Sequence, residues 1–125
     1  MASIRRFEEI LAWQKARTLV REVYLICAVT RLAKDFGLKD QICRAAVSTM
    51  TNIAEGFGRK TDGDFAHFLD VARGSALEVE SLLFVARDLE YIQQSDFERI
   101  YEMSEETVAM ISGFTAYLRN RLKKG

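Results

Sequence analysis

The sequence predicts an all-α protein, a single antiparallel up-down-up-down four-helix bundle over residues 1–125. Three observations carry that reading. The chain contains no proline, the residue that breaks helix interiors. Apolar residues make up 49% of it and charged residues 29%, the balance of a packed helical domain rather than of a disordered chain. Apolar side chains recur at three- and four-residue steps through four long stretches, and the short connections between them force each helix back along the one before.

The first helix is predicted from Phe7 to about Ala33, through Ile10, Trp13, Leu19, Val20, Val23, Ile26 and Cys27. Asp35-Phe36-Gly37 reads as a break, and a second helix follows from about Leu38 with Ile42, Ala46, Thr49, Ile53 and Phe57 on its buried face. Gly56 and Gly58 are expected to end it, because glycine readily takes the left-handed conformation common at a helix C-terminus. Thr61 is placed to cap a third helix running to about Tyr91, with Asp62 and Asp64 against the positive end of its dipole. Ser95 and Glu98 form a capping-box pattern that opens a fourth helix.

The second helix carries a polar row beside its apolar stripe. Ser48, Asn52, Glu55 and Arg59 recur at three- and four-residue steps, so they share a face. A plain bundle core would place Leu or Ala at some of these positions. Together with Arg73 and Glu78 of the third helix, they are expected to form a polar network that holds the bundle. A general acid-base pair of Glu55 and Glu78 is the catalytic reading of the same residues, and buried carboxylates near Arg59 and Arg73 are more often structural ion pairs.

A second apolar stripe runs along the third helix. Leu77, Phe84 and Tyr91 repeat every seven residues, away from the core stripe of Ala72, Val79 and Ala86, and Glu80 and Arg87 fall between them. Aromatic anchors mixed with both charges have the composition of a subunit interface, so Leu77, Glu80, Phe84, Arg87 and Tyr91 are expected to join copies of the chain.

Net charge is zero but unevenly ordered: residues 1–60 hold 11 basic and 6 acidic side chains, and residues 61–125 hold 7 and 12, giving halves of +5 and −5. Attraction between the halves, within or between subunits, explains this; a basic face for RNA or DNA is the functional alternative. That face would comprise Arg5, Arg6, Lys15, Arg17, Arg21, Arg31 and Lys34. No apolar run reaches the roughly 20 residues of a membrane span, and Glu8, Glu9 and Glu22 interrupt any signal-peptide pattern, so a cytoplasmic protein with no membrane role is expected. Cys27 and Cys43 sit at apolar helical positions and read as buried free thiols; the alternative, a disulfide between the first two helices, would require an oxidising compartment that nothing else implies. The one histidine, His67, leaves no Glu-x-x-His pair for a di-metal bundle site, and no phosphate-cradling loop or Cys-His pair is present. No metal, cofactor or small-molecule substrate is expected, and no enzymatic activity.

Phe7 with Trp13-Gln14-Lys15-Ala16, Gln41 with Arg44 to Ser48, the segment Asn52-Ile53-Ala54-Glu55-Gly56-Phe57-Gly58-Arg59, Phe65 with Phe68-Leu69, and Ala72-Arg73-Gly74-Ser75 with Glu78 resemble the 23S rRNA intervening sequence protein family, also called the four helix bundle protein family. The resemblance covers nearly the whole chain. It implies an antiparallel bundle assembled as a homopentameric ring, in a family named for genes inside insertions of bacterial large-subunit ribosomal RNA. A relative of that family, the accessory variability determinant of diversity-generating retroelements, looks like a strongly basic pentamer that binds nucleic acid and a reverse transcriptase. This chain departs from it in being neutral, and has Thr30-Arg31-Leu32-Ala33 where many family members carry a proline-containing link. The expected function is that of a non-catalytic homo-oligomeric scaffold with a protein or other macromolecular partner; the alternative is an RNA- or DNA-binding accessory module.

Overall fold

Residues 3–124 are described by the computed structural model; Met1, Ala2 and Gly125 of the expected domain lie outside them. Four α-helices account for most of these residues: α1 (Leu11–Val29), α2 (Phe36–Phe57), α3 (Asp62–Asp88) and α4 (Gln94–Lys124). Two short 3-10 turns, Phe7–Glu9 and Arg31–Lys34, precede and follow α1. The long first helix of the sequence reading is therefore divided, because Thr30 leaves helical geometry (φ −117°, ψ −179°) and its hydroxyl accepts from the Leu32 backbone N–H.

Side-chain pairs fix the direction of each helix. Gln41 meets Glu78, Ser48 meets Ser75, and Gly56 lies against Phe68, so residue numbers rise along α2 as they fall along α3. Asp70 with Arg119, Arg73 with Ser112 and Glu80 with Ser104 run α4 back along α3. Lys15 with Glu106 and Glu22 with Arg99 close α4 against α1. All three seams are antiparallel.

The core lies in two blocks. Leu19, Val23, Ile26, Leu32, Ile42, Ala46, Leu83 and Ile100 fill the end carrying the α1–α2 and α3–α4 connections. Ile10, Trp13, Ala16, Ile53, Phe65, Leu69, Ile111 and Leu118 fill the other. Thr49 and Thr107 are buried among these apolar residues, and their hydroxyls donate to the carbonyls four residues back, of Ala45 and Met103, which removes the cost of an unpaired buried polar atom.

Several helix ends differ from the sequence reading. Asp35 accepts from the Leu38 backbone N–H and caps α2, so Phe36 and Gly37 open that helix where a break was expected. Gly58 caps the end of α2 in right-handed geometry (φ −76°, ψ −4°), and among the described residues no glycine has positive φ. Gly56 serves a different purpose. A Cβ there would lie 2.8 Å from Phe68 Cβ and 2.9 Å from Phe65 Cδ1, so the missing side chain lets α3 approach α2. Thr61 caps α3 as expected, accepting from Asp64 N–H at 3.1 Å. That helix ends at Asp88, and Glu90 takes the left-handed position (φ 59°) while Tyr91 N–H bonds back to the Ala86 carbonyl, a six-residue closure typical of helix C-termini. Helix α4 starts at Gln94, which places Ser95 inside its first turn rather than at the cap.

Candidate functional site

The polar row of α2 divides once the helices are packed. Ser48 and Asn52 face α3: the Ser48 and Ser75 hydroxyls lie 2.8 Å apart, and Asn52 Nδ2 donates to the Ser48 carbonyl at 2.8 Å and to its hydroxyl at 3.0 Å. With Ala45 and Gly56 they form a strip of small or compact side chains at three- and four-residue steps. A strip of that kind lets two backbones come close, and the hydroxyls and amide satisfy one another in the space that remains. This half of the row is a packing seam.

Glu55, Arg59, Arg73 and Glu78 lie outside that seam. All four are exposed. Glu55 pairs with Arg59 one turn on, at 3.2 Å, and the Arg59 guanidinium lies 4.5 Å from the Phe68 ring centre. Arg73 donates to Ser112 of α4 at 3.2 Å, not to Glu78, and Glu78 accepts from Gln41 at 3.4 Å. The expected network is thus a half-buried trio, Ser48, Asn52 and Ser75, flanked by separate surface pairs. Neither Glu55 nor Glu78 is buried, so the premise of a buried acid-base pair does not hold. Such exposed pairs contribute only about 0–1 kcal/mol each.

The second stripe also divides. Leu77 and Phe84 are 39% and 40% exposed, and Val71, Val85 and Leu89 join them on the outside of α3. Phe84 also packs edge-on against Phe97, with ring centres 4.9 Å apart, while the Arg87 guanidinium lies over both rings. Tyr91 is half-buried and donates to Asp35 Oδ2 at 3.1 Å, which ties it to the α1–α2 connection. Glu80 points inward, contrary to its expected place on the outer face.

That buried carboxylate is a residue whose setting sequence reasoning missed. Glu80 is 6% exposed and accepts from Ser104 Oγ at 2.9 Å, while the same hydroxyl lies 3.1 Å from the Ala76 carbonyl. A serine hydroxyl has a single proton to give. With Glu80 protonated, the carboxyl donates to Ser104 and Ser104 donates to Ala76; with Glu80 ionised, two acceptors compete for one hydrogen. Burial pushes the Glu80 carboxyl above the usual range, and Glu105 raises it further against the opposing hydrogen bond from Ser104. The periodicity could have shown this, since Glu80 lies one residue from Val79 in the core stripe.

The seven cations of the proposed nucleic-acid face do not form one surface. Arg6 pairs with Glu8 at 2.8 Å and Lys15 with Glu106 at 3.0 Å. Arg5, Arg17 and Arg21 are exposed, and Arg17 lies 5.7 Å from the Trp13 ring centre. Arg31 and Lys34 sit on the 3-10 turn at the far end of the bundle. Cys27 and Cys43 are buried free thiols with sulfurs 3.8 Å apart, and burial pushes the Cys27 thiol up to about 12. Among the described residues, no helix is long and apolar enough to cross a membrane, and no group of three or more His, Cys, Asp or Glu side chains is placed to hold a metal ion.

Comparison with known proteins gives the arrangement a family. No curated protein matches the chain. Its fold is shared with the 1.70 Å crystal structure of a protein with unknown function from the S23 ribosomal protein family of Bacteroides thetaiotaomicron VPI-5482. The two are 27% identical, with a TM-score of 0.78 over 85% of this chain and 96% of that one. The family model described as 23S rRNA-intervening sequence protein matches residues 8–113, a span that includes the small-residue seam, the inward Glu80 and the outer face of α3, and the chain belongs to that family.

Proposed function

We propose that the chain acts as a non-catalytic, homo-oligomeric scaffold of the cytoplasm, assembled as the pentameric ring that the family resemblance implies, whose rim presents a macromolecular partner with repeated copies of one surface. The observation that carries this reading is the outer face of α3. Val71, Leu77, Phe84, Val85 and Leu89 remain exposed on a helix whose opposite face already fills the core. A monomeric bundle needs one buried stripe per helix, and an apolar patch beyond that stripe marks an interaction site. The non-catalytic part rests on the candidate polar residues being engaged in packing or in surface pairs. Two buried thiols suit a reducing compartment.

Light scattering on the eluting protein tests the assembly. Leu77→Asp and Val85→Asp place a charge in the proposed interface, and neither side chain contributes to the buried core; both should lower the mass toward that of one 14.3 kDa chain while far-UV circular dichroism stays the same. A wild-type protein already at that mass refutes the scaffold reading. An unchanged oligomer in both variants moves the interface away from α3.

The second reading, binding of RNA or DNA, is supported by the cations that, among the described residues, keep out of ion pairs, and it narrows to Arg5 ahead of α1, Arg17 and Arg21 on α1, and Arg31 and Lys34 at the bundle end. Phosphate-driven binding should weaken steeply with salt.

A further inference from the structure

We infer that the bundle end around the Arg31–Lys34 turn is a binding site for single-stranded nucleic acid, with Phe36 as the base-stacking platform. This deepens the second reading above and does not depend on assembly. Phe36 is the most exposed aromatic side chain among the described residues, at 73%. It opens α2 beside an open cleft of about 660 Å³ that is also lined by Arg31, Lys34 and Tyr91. Each of the two rings carries its own cation. Lys39 Nζ lies 5.4 Å from the Phe36 ring centre and Arg31 Cζ lies 5.8 Å from that of Tyr91.

Folding does not explain this cluster. A phenylalanine left three-quarters in water adds little to the core, and among the described residues Arg31, Lys34 and Lys39 make no ion pair within 4.0 Å. The acid in the cleft, Asp35, is turned to internal work: it accepts from Leu38 N–H and from the Tyr91 hydroxyl, both at 3.1 Å. Glu90 and Asp96 lie along the adjoining cleft, and Asp96 is held by Arg99 at 3.7 Å. The surface left open is two aromatic rings among three cations. An acidic peptide would need the cations alone. Bases of an unpaired strand use both, stacking on a ring while the flanking phosphates meet Lys and Arg. Duplexes offer no free base face to Phe36, so the site selects single strands.

The test is fluorescence anisotropy of a labelled oligo(dT) of about 12 nucleotides, long enough for one such site, titrated with the intact protein at several salt concentrations. The wild type should bind, and more weakly as salt rises. Phe36→Ala should weaken binding about 5- to 150-fold, the range for loss of one base-stacking partner; Phe36→Trp should restore it. Lys34→Glu should flatten the salt dependence. Both positions are exposed, so folding is not at stake. Binding that ignores Phe36→Ala and Lys34→Glu but disappears in Arg17→Glu/Arg21→Glu overturns this site and leaves the second reading standing. No binding by the wild type at low salt removes both. A poly-glutamate peptide that binds as tightly as the oligonucleotide, with equal indifference to Phe36→Ala, assigns the patch to an acidic protein partner instead.

Discussion

Replacing Gly56 with alanine is expected to destabilise the bundle or leave it unchanged, whereas the same replacement at Gly113 stabilises it. At Gly56 the new Cβ would lie 2.8 Å from Phe68 Cβ, 2.9 Å from Phe65 Cδ1 and 3.3 Å from the Phe65 carbonyl oxygen. Favourable carbon contacts begin near 3.5 Å, so the closest of these is short by about 0.7 Å. Phe68 Cβ is fixed to the α3 backbone and cannot swing aside as a flexible chain end would, so α2 and α3 must separate. Overpacking of this kind costs about 1–3 kcal/mol, set against a gain of about 1 kcal/mol for alanine over glycine in a helix. The net is a loss of about 0–2 kcal/mol. At Gly74 and Gly113 an added Cβ meets nothing within 4 Å, so alanine there should show the helix gain alone. Equilibrium urea unfolding followed by circular dichroism, at one protein concentration because assembly couples to stability, should place Gly56→Ala about 1–3 kcal/mol below Gly113→Ala. Gly74→Ala should match Gly113→Ala unless α3 is closely covered in the assembly. A Gly56 variant as stable as the Gly113 variant would refute the close approach of the two helices.

Glu80 makes stability depend on pH. Its folded-state pKa is raised, so between the ordinary carboxylate value and the raised one the native state binds more protons than the unfolded chain, and stability falls as pH rises through that window. Glu80→Gln keeps a donor toward Ser104 without an ionisable proton; urea midpoints across pH 4–8 should lose that fall, and the variant should be more stable than wild type at neutral pH, on the order of 1 kcal/mol. The thiol of Cys27, pushed up to about 12 from 9.0, holds about 1,000-fold less thiolate than an ordinary cysteine at pH 8. A chromogenic disulfide reagent should therefore label Cys27 slowly in the native protein and promptly in denaturant, and rapid native labelling would contradict its burial.

The four helices were legible because periodicity and capping are local signals. Thr61 followed by Asp62 and Asp64 announces a helix start by chemistry contained within four residues, and the structure places it there. What failed to show was whatever depends on a neighbouring helix. The glycines of α2 suggested left-handed termination, since sequence alone cannot tell a glycine needed for its φ from one needed for its missing Cβ; Phe68, which makes Gly56 necessary, is twelve positions away. Asp35 is an exception, since its cap to the Leu38 N–H is as local as that of Thr61 to Asp64; Gly37 made the segment read as a break instead. Glu80 read as an outer-face residue because charge was given more weight than position, although its neighbour Val79 lies in the core stripe. The polar row stands out in the sequence, but only packing against Ser75 separates its seam residues, Ser48 and Asn52, from the surface pairs at Glu55 and Arg59.

Separation of roles along the molecule follows from these placements. The small-residue seam joins α2 to α3 through the middle of the bundle, which fixes α3 and so presents its outer apolar face as a rigid surface. The Phe36 cluster lies at one end, on the α1–α2 connection, and Tyr91 and Asp35 bind that connection to the α3–α4 turn. Val85 in the last turn of α3 and Leu89 at its C-cap lie at that end of the outer face, so a ring built through that face would set copies of the aromatic and basic cluster around one rim. Linked copies of a weak site bind a continuous strand far more tightly than one alone, because each later contact forms at a high effective concentration. Long oligonucleotides should therefore lose affinity when Leu77→Asp separates the subunits, while a strand only long enough for one cluster should bind the separated subunit as well as it binds the assembly. Equal loss for both lengths would mean that the substitution damages the cluster itself, and no loss for either would mean that assembly and binding are unconnected.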